Sequence, residues 1–106
     1  MTRLPFIPPE LRSGSEEHAA VLRVLRAGGW KAYSTSDPRM RRATKGVVDI
    51  IAFKPTRILF WDSKAGTGKL TPEQEEFMAM ADKAGAEIGW GDATACQRWL
   101  TDRRTA

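Results

Sequence analysis

Two short apolar runs follow each other in the middle of the chain, and each carries charge where an apolar run should have none. The first is Gly46-Val47-Val48-Asp49-Ile50-Ile51-Ala52-Phe53; the second is Ile58-Leu59-Phe60-Trp61-Asp62-Ser63-Lys64. Their β-branched and aromatic content predicts two buried strands joined by the turn Lys54-Pro55-Thr56-Arg57. A charge buried in such a strand is costly unless it is paired or holds a metal. Asp62 and Lys64 are two residues apart, so on a strand both side chains leave the same face. If the strands are neighbours, Asp49 approaches Asp62, and two acids and a lysine share one small site. The structural alternative is an ion pair at a strand end, with Asp49 merely beginning a turn. Two converging carboxylates repel, however, and a divalent ion relieves that repulsion. Mg²⁺ takes one or two carboxylates, keeps several waters and accepts phosphate oxygens.

The rest of the chain builds a frame around these runs. Residues 1–14 contain Pro5, Pro8, Pro9 and Gly14 and read as an irregular arm, leaving residues 15–106 as one domain. Ser13-Gly14-Ser15-Glu16 fits a capping box, and Ala20, Val21, Val24 and Leu25 form a helical apolar stripe that Gly28-Gly29 ends. Trp30-Lys31-Ala32-Tyr33-Ser34 alternates as a strand, and the polar, basic stretch 35–46 is read as a loop. Gly66-Thr67-Gly68-Lys69 is a turn; Ser63 and Leu70 stand where a phosphate-binding P-loop needs Gly and Ser or Thr. Thr71-Pro72-Glu73-Gln74 is a strong helix start, and Gly85 ends that helix. Ala86-Glu87-Ile88-Gly89-Trp90 reads as a last strand, and Asp92 caps a final helix carrying Cys96, Trp99 and Leu100. The order is α-β-β-β-α-β-α, an α/β fold with a small mixed sheet flanked by helices.

Composition narrows the function. The net charge of +4 favours a polyanionic partner, and Arg39, Arg41, Arg42 and Lys45 concentrate it just before the first acidic run. These four are expected to hold a phosphate backbone, with Ser34 and Ser36 adding weaker contacts; a solvated basic loop is the plainer alternative. The single cysteine, Cys96, rules out an internal disulfide, is expected to be a small core residue, and fits a reducing, cytoplasmic setting. No apolar run has the length of a membrane span. The one histidine, His18, is expected on an exposed helix face, where it makes no zinc site. The four tryptophans are expected in the core, with room for one at a dimer interface, and Met78 and Met80 in helix packing.

One acid upstream completes a set. Glu17 lies three, four and seven residues before Ala20, Val21 and Val24 and so heads the inward stripe of the first helix, whereas Glu16 shares a face with Ala20 and Arg23. Glu17 reads either as a partner of a helix dipole or as a site acid.

A helical Glu, then Gly-x-x-Asp at one strand, then Asp-x-Lys on the next resembles the PD-(D/E)XK nuclease superfamily. The stretch Asp62-Ser63-Lys64-Ala65-Gly66-Thr67-Gly68-Lys69-Leu70-Thr71-Pro72-Glu73-Gln74 is similar to its VRR-NUC branch, where a Gly-containing turn leads into a helix opening near Ser/Thr-Pro-Glu-Gln. Ala84-Gly85-Ala86-Glu87 looks like that branch's helix-to-strand junction, and the resemblance spans roughly residues 15–100. It implies a restriction-endonuclease-like core and metal-assisted hydrolysis of DNA phosphodiesters. In that scheme Asp49 and Asp62, with Glu17 and the carbonyl of Ser63, hold Mg²⁺ or Mn²⁺. Lys64 is the catalytic lysine, and Gln74 matches a glutamine typical of the branch, although it also fits the capping-box position. Stand-alone members resemble Holliday-junction resolvases, which implies branched DNA as substrate and a homodimer making two symmetric cuts. Two positions depart from the pattern: Val48 stands where Pro is usual, and Asp62 where Glu is usual. The shorter reach of Asp62 opens the alternative of a DNA-binding module with weak or no catalysis.

Overall fold

Seven elements follow the expected order in the computed structural model, which describes residues 14–35 and 46–105. They are α1 (Gly14–Ala27), β1 (Lys31–Ser34), β2 (Ile50–Lys54), β3 (Arg57–Ser63), α2 (Pro72–Lys83), β4 (Glu87–Gly91) and α3 (Ala93–Thr105). Most of the expected arm and the loop residues Ser36, Arg39, Arg41, Arg42 and Lys45 lie outside the described residues.

α1 buries Glu17, Ala20, Val21 and Leu25, one stripe at helical spacing. It ends where Gly29 takes φ 90° and the Trp30 N–H returns to the Leu25 carbonyl at 3.0 Å. The sheet order is β1-β2-β3-β4, with β1–β2 and β2–β3 antiparallel and β3–β4 parallel. The antiparallel pair β2–β3 needs only the turn Pro55-Thr56, with Lys54 opposite Arg57 and Thr56 at φ 64°. The parallel pair needs a crossover, and α2 supplies it.

Alternation along the strands divides the sheet into two faces. Ala32, Ile50, Ala52, Leu59 and Trp61 face α1 and α3 and form one buried cluster with Val21, Leu25, Ala93, Cys96 and Leu100. On the opposite face Phe60 meets Phe77 of α2 edge-on, with ring centroids 5.1 Å apart. The molecule is therefore α/β with helices on both sides of a small mixed sheet. A Cβ at Gly89 would run into the Trp61 ring, so that ring occupies the space a side chain on β4 would need. Cys96 is buried as expected, and burial pushes its thiol up to about 12. Among the described residues no helix is long and apolar enough to cross a membrane.

Three expectations are corrected. The first apolar run enters the sheet only at Ile50, because Gly46 at φ 86° packs against the backbone of Glu73 at the start of α2. A Cβ there would lie 2.7 Å from the Glu73 carbonyl oxygen, so only glycine allows this close approach to the start of α2. Met80 is exposed on α2, which buries Met78 and Ala81 instead. Trp90 is also exposed, since the strand alternation that turns Gly89 toward Trp61 turns its neighbour outward.

Candidate active site

The start of β2 and the end of β3 meet because Ile50 pairs with Trp61, which sets Asp49 beside Asp62. The Asp49 N–H donates to Asp62 Oδ1 at 3.2 Å. The Asp49 carboxylate is held by the next residue of β3: Oδ1 accepts the Ser63 N–H at 2.8 Å, and Oδ2 accepts the Ser63 hydroxyl. Here Ser63 binds the acid through its N–H and its side chain.

Asp62 is 2 % exposed. Its Oδ1 accepts the Asp49 N–H and the Gln74 amide, the latter at 3.1 Å. Its Oδ2 is buried without a hydrogen-bond partner among the described residues. Its partner there is a charge: the Lys64 ammonium lies 2.8 Å from that oxygen and forms an ion pair with it. Burial raises the Asp62 pKa from the ordinary aspartate value; Lys64 pulls it back and the charge of Asp49 adds to the rise. The expected same-face pairing of Asp62 with Lys64 and the approach of Asp49 are thus both present.

Gln74 serves two purposes. Thr71 caps α2 in a capping box: its hydroxyl accepts the Gln74 N–H at 3.2 Å, and Gln74 Oε1 accepts the Thr71 N–H at 3.0 Å. The amide end of the same side chain is free to reach Asp62, so the helix cap also orients the site acid.

His18 corrects the expectation of an exposed helix residue. Its side chain is only 16 % exposed, with Nδ1 3.0 Å from Asp49 Oδ2 and Nε2 2.8 Å from Ser34 Oγ. Nδ1 therefore faces the Asp49 carboxylate, where a ring N–H can donate, and Nε2 lies within hydrogen-bond distance of the Ser34 hydroxyl. The partners are 31 and 16 positions away, beyond any local pattern. One signal was present: His18 precedes Val21 by three residues and Leu25 by seven, on the margin of the buried stripe.

Glu17 stands elsewhere. It is 1 % exposed, and its Oε1 accepts the Ala93 N–H at 2.6 Å, at the first residue of α3. This gives a carboxylate to the positive end of that helix, while Asp92 caps it by accepting the Ala95 N–H at 2.8 Å. Among the described residues no three His, Cys, Asp or Glu side chains form a group that could hold a metal. The acids brought together are Asp49 and Asp62.

The oxygens of Asp49 and Asp62 are hard donors of the kind Mg²⁺ or Mn²⁺ takes, and in this arrangement Ser63, His18, Gln74 and Lys64 hold them. Comparison with known protein families, curated proteins and solved structures returns no match.

Proposed function

We propose that the chain is a Mg²⁺-dependent endonuclease that hydrolyses DNA phosphodiesters, with branched DNA such as a four-way junction as substrate and a homodimer as the working form. One observation carries this reading: Asp49 donates its N–H to the buried Asp62 carboxylate and the Lys64 ammonium lies 2.8 Å from Asp62 Oδ2, so two acids and a lysine share one end of β2 and β3. A buried carboxylate beside a second acid is costly to keep ionised and suits a place where a cation shares the charge. The ordered resemblance from Asp49 through Gln74 supports the same reading.

Asp49 and Asp62 would hold the ion, which when bound supplies Lewis-acid stabilisation and a water of lowered pKa. The chain's own groups have distinct tasks. The Ser63 N–H and hydroxyl fix the Asp49 carboxylate, and Gln74 fixes Asp62. Lys64, 21 % exposed at its side chain and paired with Asp62, would offer its positive charge to a phosphate oxygen. His18 and Ser34 close the Asp49 side. The basic residues Arg39, Arg41, Arg42 and Lys45 would hold the flanking backbone.

The test is incubation with Mg²⁺ or Mn²⁺ and labelled junction, flap, single-stranded and duplex DNA. Metal-dependent cleavage lost in Asp62→Ala and Lys64→Ala is the expected result. Cutting that survives both substitutions overturns the assignment, and equal cutting of every substrate overturns the preference for branches. A second reading, a DNA-binding module with little catalysis, is favoured by the commitment of Glu17 to α3 and of Asp49 to Ser63 and His18. Salt-sensitive binding without cleavage would select it.

A further inference from the structure

The carboxylate oxygens of Asp49 and Asp62 are all engaged, but their partners differ in freedom to move. Asp49 Oδ1 accepts the Ser63 N–H, and Asp62 Oδ1 accepts the Asp49 N–H; both donors belong to the backbone. Asp49 Oδ2 takes the Ser63 hydroxyl and faces His18, whose other ring nitrogen is held at Ser34. Gln74, the second donor to Asp62 Oδ1, is tied at its own oxygen to the Thr71 N–H. Asp62 Oδ2 differs. Its one partner among the described residues is the Lys64 ammonium at 2.8 Å.

That ammonium rides on a flexible four-carbon stem, and 21 % of the Lys64 side chain is exposed against 3 % for Asp62. The stem passes Gly68, where an added Cβ would lie 3.4 Å from Lys64 Cβ and 3.6 Å from Cδ, so glycine there leaves it room. Lys64 is thus the most mobile of the groups that hold the two acids. It also carries the one charge that satisfies Asp62, which is buried and costly to keep ionised without a cation beside it. Two cations sharing one buried oxygen repel at short range. One cation stabilises the site, and a second has to displace the first.

We propose that Lys64 is the resident counter-ion of Asp62 and yields that place to a divalent cation, its ammonium turning outward where a phosphate can take it. Lys64 and the cation then weaken each other's hold on Asp62 by the same factor, since coupling is reciprocal. The choice of Asp49 and Asp62 as ligands rests on the nuclease reading above. The exchange deepens it: the lysine is withheld from phosphate until a divalent cation is present.

The test uses the full chain without DNA. Acylation of each lysine by acetic anhydride is followed by mass spectrometry, in Mg²⁺ and in NaCl of equal ionic strength, and calorimetry records Mg²⁺ binding. Mg²⁺ is expected to speed Lys64 acylation about fivefold or more, while the exposed Lys69 and Lys83 keep their rates. In Asp62→Asn, Lys64 should react fast with or without Mg²⁺. Lys64→Met should bind Mg²⁺ about 5- to 150-fold more tightly than wild type, and Lys64→Arg, which keeps the charge, should not. Lys64 acylation that Mg²⁺ leaves unchanged or slows overturns the proposal. So does a folded Lys64→Met chain whose Mg²⁺ affinity is no higher than that of wild type. Should Lys64→Met unfold, acylation of the wild type decides alone. Release of Lys64 by Mg²⁺ in a chain that cuts no DNA would keep the exchange and sink the nuclease reading; metal-dependent cutting with Lys64 acylation unmoved would do the reverse.

Discussion

Asp62 is the residue whose environment least suits it as an isolated side chain. Its pKa is raised in the folded protein, so its contribution to stability is full below the unfolded value and is lost as pH rises through the folded one. Asp62→Asn removes that loss. The melting temperature of Asp62→Asn relative to wild type should therefore rise from mildly acid to neutral pH, while cleavage disappears, a trade of stability against activity. A fall over that range in thermal-melt series would contradict the assignment. Lys64→Met should act in the opposite sense, costing more stability at neutral than at acid pH because it leaves Asp62 without its counter-charge. Combined with Asp62→Asn it should show a coupling of about 0.5–3 kcal/mol in urea titrations. At this scale the sequence spoke clearly only where chemistry was concentrated. Asp49, Asp62 and Lys64 were legible as charges in apolar runs, whereas His18 depends on a partner 31 residues away.

Among the elements, α2 links stability to the site most directly. Thr71→Ala removes the capping hydroxyl and should cost about 1 kcal/mol. Metal titration should change little, because the Thr71 N–H that holds the Gln74 side chain is a backbone donor that alanine keeps. Thr71→Ser should restore the stability, as denaturant unfolding would read. Gly46→Ala tests the other side of the same junction. A methyl group there meets the Glu73 backbone at 2.7 Å in a left-handed conformation, so a loss of about 1–3 kcal/mol is expected, together with weaker metal binding. The type and order of elements were readable because caps, glycines and strand composition are local signals. The late start of β2 was not: it follows from Gly46 meeting α2, 27 residues further along, which no strand pattern encodes.

For the whole molecule, a ligand that binds only the folded chain must stabilise it. Mg²⁺ at about a hundred times its dissociation constant should add about 2.7 kcal/mol. A monovalent salt at equal ionic strength should not reproduce the shift, and Asp49→Asn or Asp62→Asn should abolish it in calorimetry. Absence of any Mg²⁺-dependent shift at saturating DNA and metal would favour the binding-module reading. The three-layer arrangement is what makes this coupling possible. α1 brings His18, the sheet brings Asp49, Asp62 and Lys64, and α2 brings Gln74 to one end of β2 and β3.

By itself the sequence determined the α/β class, the order of elements and the acid–lysine set, because periodicity, caps and misplaced charges are written within a few neighbouring residues. The tertiary structure alone decided which of two similar glutamate signals went where. Glu17 heads the buried stripe as expected, yet it meets the N-terminus of α3, 76 residues away, where an unsatisfied N–H needs an acceptor. The same packing filled the core side of β4 with Trp61 and left Trp90 outside, beside the site. Both outcomes depend on which helix and which ring fill a given space, and competition for space is settled only when the layers come together.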